Sequence, residues 1–162
     1  MSARLIVTCG GIGTLPGAPG TWASAATIPL AWVLHMLGGF WLLGPATIAL
    51  TLLGYWATAR YLGERTDDPS EVVIDEVVGM LIALWPLSLG LTILGTEPHV
   101  FPWPGWMLGF LVFRVLDIVK PPPVGWADRQ PGALGVMLDD IFAGALTAVL
   151  ATISAGFSLG WF

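Results

Sequence analysis

Three pairs of adjacent carboxylates mark this chain: Asp67-Asp68, Asp75-Glu76 and Asp139-Asp140. Basic residues lie close by, and fifteen of the seventeen charged residues fall within 60–76 or 114–140. The rest is almost wholly apolar, and charge this dense beside membrane-like sequence is costly unless it binds something. Acidic pairs at the ends of neighbouring helices would make an oxygen-rich site suited to Mg²⁺, which takes one or two carboxylates together with water and phosphate oxygens. Arg114, Asp117 and Lys120 recur every three residues and so share a helix face. On that face Lys120 could meet a phosphate as a point charge, with Asp117 orienting it or a metal-bound water. The rival reading is structural, with intrahelical ion pairs and cations placed at a helix C-terminus. Asp128-Arg129 adds an acid and a base in a Pro/Gly-rich loop.

Some of these acids have a simpler explanation. Asp68-Pro69-Ser70-Glu71 predicts a helix start, with Asp at the N-cap, Pro at N1 and Glu at N3, and a helix running on toward Leu84. Capping then accounts for Asp67, Asp68 and Glu71. It does not account for Asp75 and Glu76, which this start places two turns inside. Asp139 is a candidate N-cap for the last apolar span, which leaves Asp140 for chemistry. The Gly/Pro-rich stretch 10–21 contains Gly13, Thr14 and Thr21. Its backbone N–H groups, beside a helix capped by Thr21, could hold an anion. Without a preceding strand it is no dinucleotide fingerprint.

The elements that must position these groups are apolar helices. At 162 residues the chain reads as one domain, 1–162. Its 56% hydrophobic and 10% charged content, with mean hydropathy +0.81, lies far from soluble usage, where about 25% of residues are charged. No charged residue occurs between Arg4 and Arg60, and Gly38-Gly39 with Gly44-Pro45 divides that stretch into a hairpin of spans at 22–37 and 40–59. Further spans are expected at 77–96, 103–119 and 141–162. The fold class is therefore all-α, a multi-pass helical membrane bundle of about five spans. That topology gathers Arg4, Arg60, Arg65, Arg114, Lys120 and Arg129 on one side, the cytoplasmic side by the positive-inside rule. Phe40, Trp41, Phe101, Trp103, Trp106, Trp161 and Phe162 gather at the other boundary as an aromatic belt. The active site is thus expected on the cytoplasmic face, and the N-terminus does not read as a cleavable signal.

Several chemistries are excluded. A net charge of −5 argues against nucleic acid. A cysteine-phosphatase loop needs Arg six positions after its Cys, where Cys9 is followed by Leu15. The only histidines, His35 and His99, fall toward the wrong side of the topology, and no G-x-S-x-G elbow exists. Metal-assisted chemistry remains.

Four blocks carry a resemblance: Gly-Ile-Gly-Thr-Leu-Pro-Gly-Ala-Pro-Gly-Thr at 11–21, Asp-Asp-Pro-Ser-Glu-Val-Val-Ile-Asp-Glu-Val-Val-Gly at 67–79, Phe-Arg-Val-Leu-Asp-Ile-Val-Lys-Pro-Pro-Pro at 113–123, and Gly-Val-Met-Leu-Asp-Asp-Ile-Phe-Ala-Gly at 135–144. In order and content the chain resembles bacterial phosphatidylglycerophosphatase A over nearly its whole length. Trp22-Ala23-Ser24 departs slightly from the pattern. The resemblance implies a Mg²⁺-dependent lipid phosphatase of the bacterial cytoplasmic (inner) membrane. Such an enzyme removes the terminal phosphate of phosphatidylglycerophosphate to give phosphatidylglycerol. Its implied functional residues are Asp75, Glu76, Asp117, Lys120, Asp128, Arg129, Asp139 and Asp140. On this reading Asp75, Glu76 and Asp140, with Asp139 or Asp117, hold Mg²⁺, while Lys120, Arg129 and Arg114 meet the phosphate. Asp128 is the candidate base for an attacking water, and a phospho-aspartyl intermediate is equally compatible. A non-catalytic membrane module or ion-coupled transporter subunit would instead place its charges near mid-span. A CDP-alcohol phosphotransferase would need D-G-x-x-A-R, which is absent. The hydropathy also argues against a soluble helical bundle.

Overall fold

A computed structural model describes residues 2–65 and 67–158, and among these there is no strand. A short helix α1 (Ala3–Val7) and a 3₁₀ turn (Cys9–Thr14) lead into the 44-residue α2 (Pro19–Leu62). There follow α3 (Ile74–Ala83), α4 (Trp85–Ile93), α5 (Trp103–Val119), α6 (Val124–Asp128) and α7 (Gly132–Ser158). Three stretches are long and apolar enough to cross a membrane: Pro19–Leu62, Ile74–Ile93 and Gly132–Phe157.

The first of these is the expected hairpin. Gly38 and Gly39 leave helical geometry, and Gly39 takes φ +59°, a conformation that glycine adopts without penalty. Along the first arm, Ser24 meets Glu76 and His35 meets Ser88. Along the second, Phe40 meets Thr92, Thr47 meets Trp85, and Gly54 meets Ile74. Partner numbers rise and then fall, so the arms run antiparallel on either side of α3–α4. Helix α5 returns, with Gly105 against Leu87 and Gly109 against Leu84, and α7 ascends again beside α3. Five helical runs therefore alternate in direction, and both charged windows fall at the same end of the bundle. At that end Trp22, Trp56 and Trp126 are exposed, while Trp41 and Trp103 are exposed at the other. The aromatic belt is thus two-sided, as both boundaries of an apolar slab favour. Trp161 and Phe162 lie outside the described residues.

Several sequence expectations are corrected. The helix starts at Ile74, not after Asp68, because 68–73 is a strap tied to the N-terminal segment: Val73 N donates to Val7 O at 2.8 Å. Asp75 and Glu76 consequently sit in the first turn of α3. Helix α7 begins at Gly132, so Asp139 lies two turns inside it and caps nothing. The third run ends at Ile93, short of 96, and its two parts meet at Leu84, just before Pro86, which has no N–H for the helical ladder. Asp128 and Arg129 close the short helix α6 instead of riding on a loop. The Gly-rich segment is folded as a 3₁₀ turn, with the amides of Gly11 and Gly13 both bonded to Thr8 O.

Candidate active site

At the charged end, a cavity of about 260 Å³ is lined by residues from α2, the 68–73 strap, α3, α5 and α7. Six carboxylates face it (Asp68, Asp75, Glu76, Asp117, Asp139 and Asp140), against two cations, Arg114 and Lys120. Asp75, Asp139 and Asp140 are buried.

Glycine contacts set this geometry. Gly79 and Gly144 each lie one turn beyond a site acid, Asp75 and Asp140 respectively. A β-carbon at Gly79 would stand 2.6 Å from Asp140 O. Backbone therefore packs on backbone between α3 and α7, which brings their acidic first halves together. Gly20 plays a similar part, because a β-carbon there would stand 2.0 Å from Glu76 Oε1. Gly20 and Thr21 both line the cavity at the start of α2, where the first amides have no intrahelical acceptor. Such amides suit an anion.

The acids are held in two groups. Asp75 Oδ1 accepts from Glu76 N at 2.9 Å. Glu76 Oε2 lies 2.9 Å from Ser24 Oγ and accepts from Arg114 Nη1, which also pairs with Asp117 Oδ2 at 2.9 Å. In the second group Lys120 Nζ bonds Asp139 Oδ2 at 2.8 Å and also pairs with Asp128. Lys120 takes a left-handed conformation at the end of α5, which turns its amine back over the cavity. Burial alone would lower the Lys120 pKa, but the hydrogen bonds it donates to Asp128 and Asp139 outweigh this, raise the pKa and hold the amine charged. Asp68, much of whose surface meets solvent, has its carboxyl pushed up to about 6 by desolvation and then by Asp139.

One subset fits a hard cation. Glu76, Asp117 and Asp140 each offer an oxygen within 4.8 Å of the others. Among the described residues, Asp140 Oδ1 is buried without a hydrogen-bond partner. An unpartnered buried carboxylate oxygen is unfavourable unless a cation meets it, and an all-oxygen donor set is what Mg²⁺ takes.

The other sequence candidates fall around this centre. Asp75 and Asp139 line the cavity outside the close triad. Asp128 is exposed, does not line the cavity, and is joined to it by its ion pair with Lys120. Arg129 is exposed at the C-cap of α6, with no ion pair among the described residues. Gly13 and Thr14 do not line the cavity. Gly13 is a close-approach position, since a β-carbon there would stand 2.0 Å from Glu71 O, and Thr14 bonds Gly11 O. Two participants escaped the sequence reading. Ser24 looked like any small polar residue in an apolar span, and Asp68 looked like a cap. His35 and His99 sit at the far end, about 22 Å along the first arm from Gly20 in the case of His35.

Fold and cavity together define a class, an apolar helical bundle with a carboxylate-rich, cation-compatible site at one end. The model of the phosphatidylglycerophosphatase A family matches residues 5–155, and the chain belongs to that family of phosphoric monoester hydrolases. Phosphatidylglycerophosphatase A of Escherichia coli is 34% identical over 143 residues, 85% of this chain and 74% of that protein. The Haemophilus influenzae phosphatidylglycerophosphatase A is 31% identical over 142 residues, covering 86% and 80%. A Bacteroides thetaiotaomicron protein provisionally named a phosphatidylinositol-3-phosphatase is 33% identical over 155 residues, covering 93% and 91%. No solved structure matches the chain.

Proposed function

We propose that this chain hydrolyses the terminal phosphate of phosphatidylglycerophosphate to phosphatidylglycerol and phosphate, with Mg²⁺ held by Glu76, Asp117 and Asp140. The observation that carries this reading is the triad itself, with its unpartnered Asp140 oxygen at the polar end of an apolar bundle. Bound there, the ion would offset the charge of the phosphate and polarise its P–O bonds. Lys120 supplies a fixed positive charge at the cavity wall, and the first amides of α2 at Gly20 and Thr21 supply neutral donors. Asp75 is the better-placed proton acceptor for the attacking water. Its Oδ1 is fixed by the Glu76 amide and its carboxylate faces the cavity, whereas Asp128 is exposed and already paired with Lys120.

The five helical runs are read as five membrane crossings, with the charged end toward the cytoplasm. Arg4, Arg60, Arg65, Lys120 and Arg129 support that orientation. Acyl chains then remain in the bilayer while the headgroup enters the cavity. The test is phosphate release by purified protein in detergent from phosphatidylglycerophosphate, phosphatidylinositol-3-phosphate and phosphatidic acid, with and without Mg²⁺. Mg²⁺-dependent turnover of the first substrate alone is expected. Preference for the inositol lipid would reassign the substrate in line with the name of the Bacteroides relative, and hydrolysis of none would remove the enzymatic reading.

A further inference from the structure

A single nitrogen, Arg114 Nη1, serves two of the three carboxylates in the close triad. It donates to Glu76 Oε2 and pairs with Asp117 Oδ2 at 2.9 Å. The guanidinium is largely buried, its side chain 14% exposed, beside Glu76 at 13% and Asp117 at 12%. Its Nε is buried without a partner among the described residues, as is Asp140 Oδ1. A guanidinium placed for its own hydrogen bonding would engage its fork on one carboxylate through two nitrogens. Here the fork is given up so that one nitrogen reaches two acids, and a buried donor is left unsatisfied.

From this we infer that Arg114 is a resident counter-cation that competes with the divalent ion for Glu76 and Asp117, holding the triad assembled until the ion displaces it. The inference rests on the metal reading above. Its physical basis is that these acids cannot stay close and buried without positive charge, and that two cations cannot share the same oxygens without repulsion. Arg114 is accordingly a positioning residue, which keeps the acids within reach of one another while weakening the ion's apparent affinity.

The test uses the full chain in detergent and compares wild type with Arg114→Met, which keeps length and apolar contact but removes charge. Mn²⁺ affinity is read by calorimetry or electron paramagnetic resonance, and thermal unfolding is followed with chelator and with added Mg²⁺. Arg114→Met should unfold at a lower temperature than wild type in chelator, and should bind Mn²⁺ about tenfold more tightly, equivalent to about 1.4 kcal/mol. Mg²⁺ should also raise its unfolding temperature by more than that of wild type. A merely structural arginine would lower stability at every Mg²⁺ concentration without tightening the ion. Mn²⁺ bound equally or more weakly by a folded Arg114→Met protein would overturn the inference. Should Arg114→Met not fold, Arg114→Gln takes its place: it keeps a polar side chain of similar shape and removes the charge, so tighter Mn²⁺ binding than wild type is again expected, and unchanged or weaker binding again overturns it. A wild-type protein that binds no divalent ion would instead remove the metal reading itself.

Discussion

Gly144 lies against the carbonyl of Gly79 so closely that a β-carbon added at Gly144 would stand 2.3 Å from that oxygen. Rigid backbone is met here, not a flexible side-chain end, so the helices must separate to admit a methyl group. Gly144→Ala should therefore lower the thermal unfolding midpoint in detergent, with a loss of about 1–3 kcal/mol typical of overpacking. It should also reduce turnover, because the same contact sets the distance between Asp75 and Asp140, one turn away. A Gly144→Ala protein with unchanged midpoint and activity would show that the α3–α7 spacing is not what assembles the site.

Asp140 carries the orphaned oxygen, and so its charge should matter to the ion more than to the fold. Asp140→Asn removes one buried negative charge from a cavity already crowded with acids. In chelator the unfolding midpoint should hold or rise, while stabilisation by Mg²⁺ disappears and phosphate release falls by about a hundredfold or more. Retained turnover in a folded Asp140→Asn protein would take this residue out of the cation site.

Much of this arrangement was legible in the sequence, because hydropathy and charge report directly on what can be buried in an apolar bundle. The Gly-Gly and Gly-Pro pairs within the uncharged stretch located the hairpin break at Gly38-Gly39, and α5 occupies 103–119 as expected. The helix starts were not legible. Asp68-Pro69-Ser70-Glu71 carries a sound local capping signal, yet Val72 and Val73 are buried and Val73 is tied to Val7 of the N-terminal segment, a partner more than sixty residues away. Local propensity cannot register such a contact. The same strap delivers Asp68 to the cavity and ties Glu71 to Arg4 and Tyr61, so residues that read as caps are long-range struts. Ser24 was hidden for the opposite reason: nothing in its neighbourhood distinguishes it until Glu76 arrives beside it.

Asp68 gives the site a pH signature. Its folded value of about 6 exceeds the ordinary 3.8. The folded chain therefore binds this proton more readily than the unfolded chain does. The stabilising contribution is complete below the ordinary value and is lost as pH rises through the folded one. The unfolding midpoint of chelator-treated protein should accordingly fall across that interval, and Asp68→Asn should flatten part of the fall. An identical slope in Asp68→Asn would assign the effect to other acids.

Cys9 stands near Asp75, the proposed proton acceptor, and needs to be distinguished from a nucleophile. Its thiol is pushed up to about 12, first by burial and then by the Asp75 carboxylate. At pH 8 only about one thiol in ten thousand is then ionised, and the thiolate is the reactive form. Folded protein should resist iodoacetamide at that pH, while denatured protein should react at the rate of an ordinary cysteine. Cys9→Ser should keep full Mg²⁺-dependent phosphate release, since the proposed chemistry uses oxygen donors and no sulfur. Rapid alkylation of the folded chain together with loss of turnover in Cys9→Ser would point to a covalent phospho-cysteine route, and would displace the carboxylate triad from the centre of the mechanism.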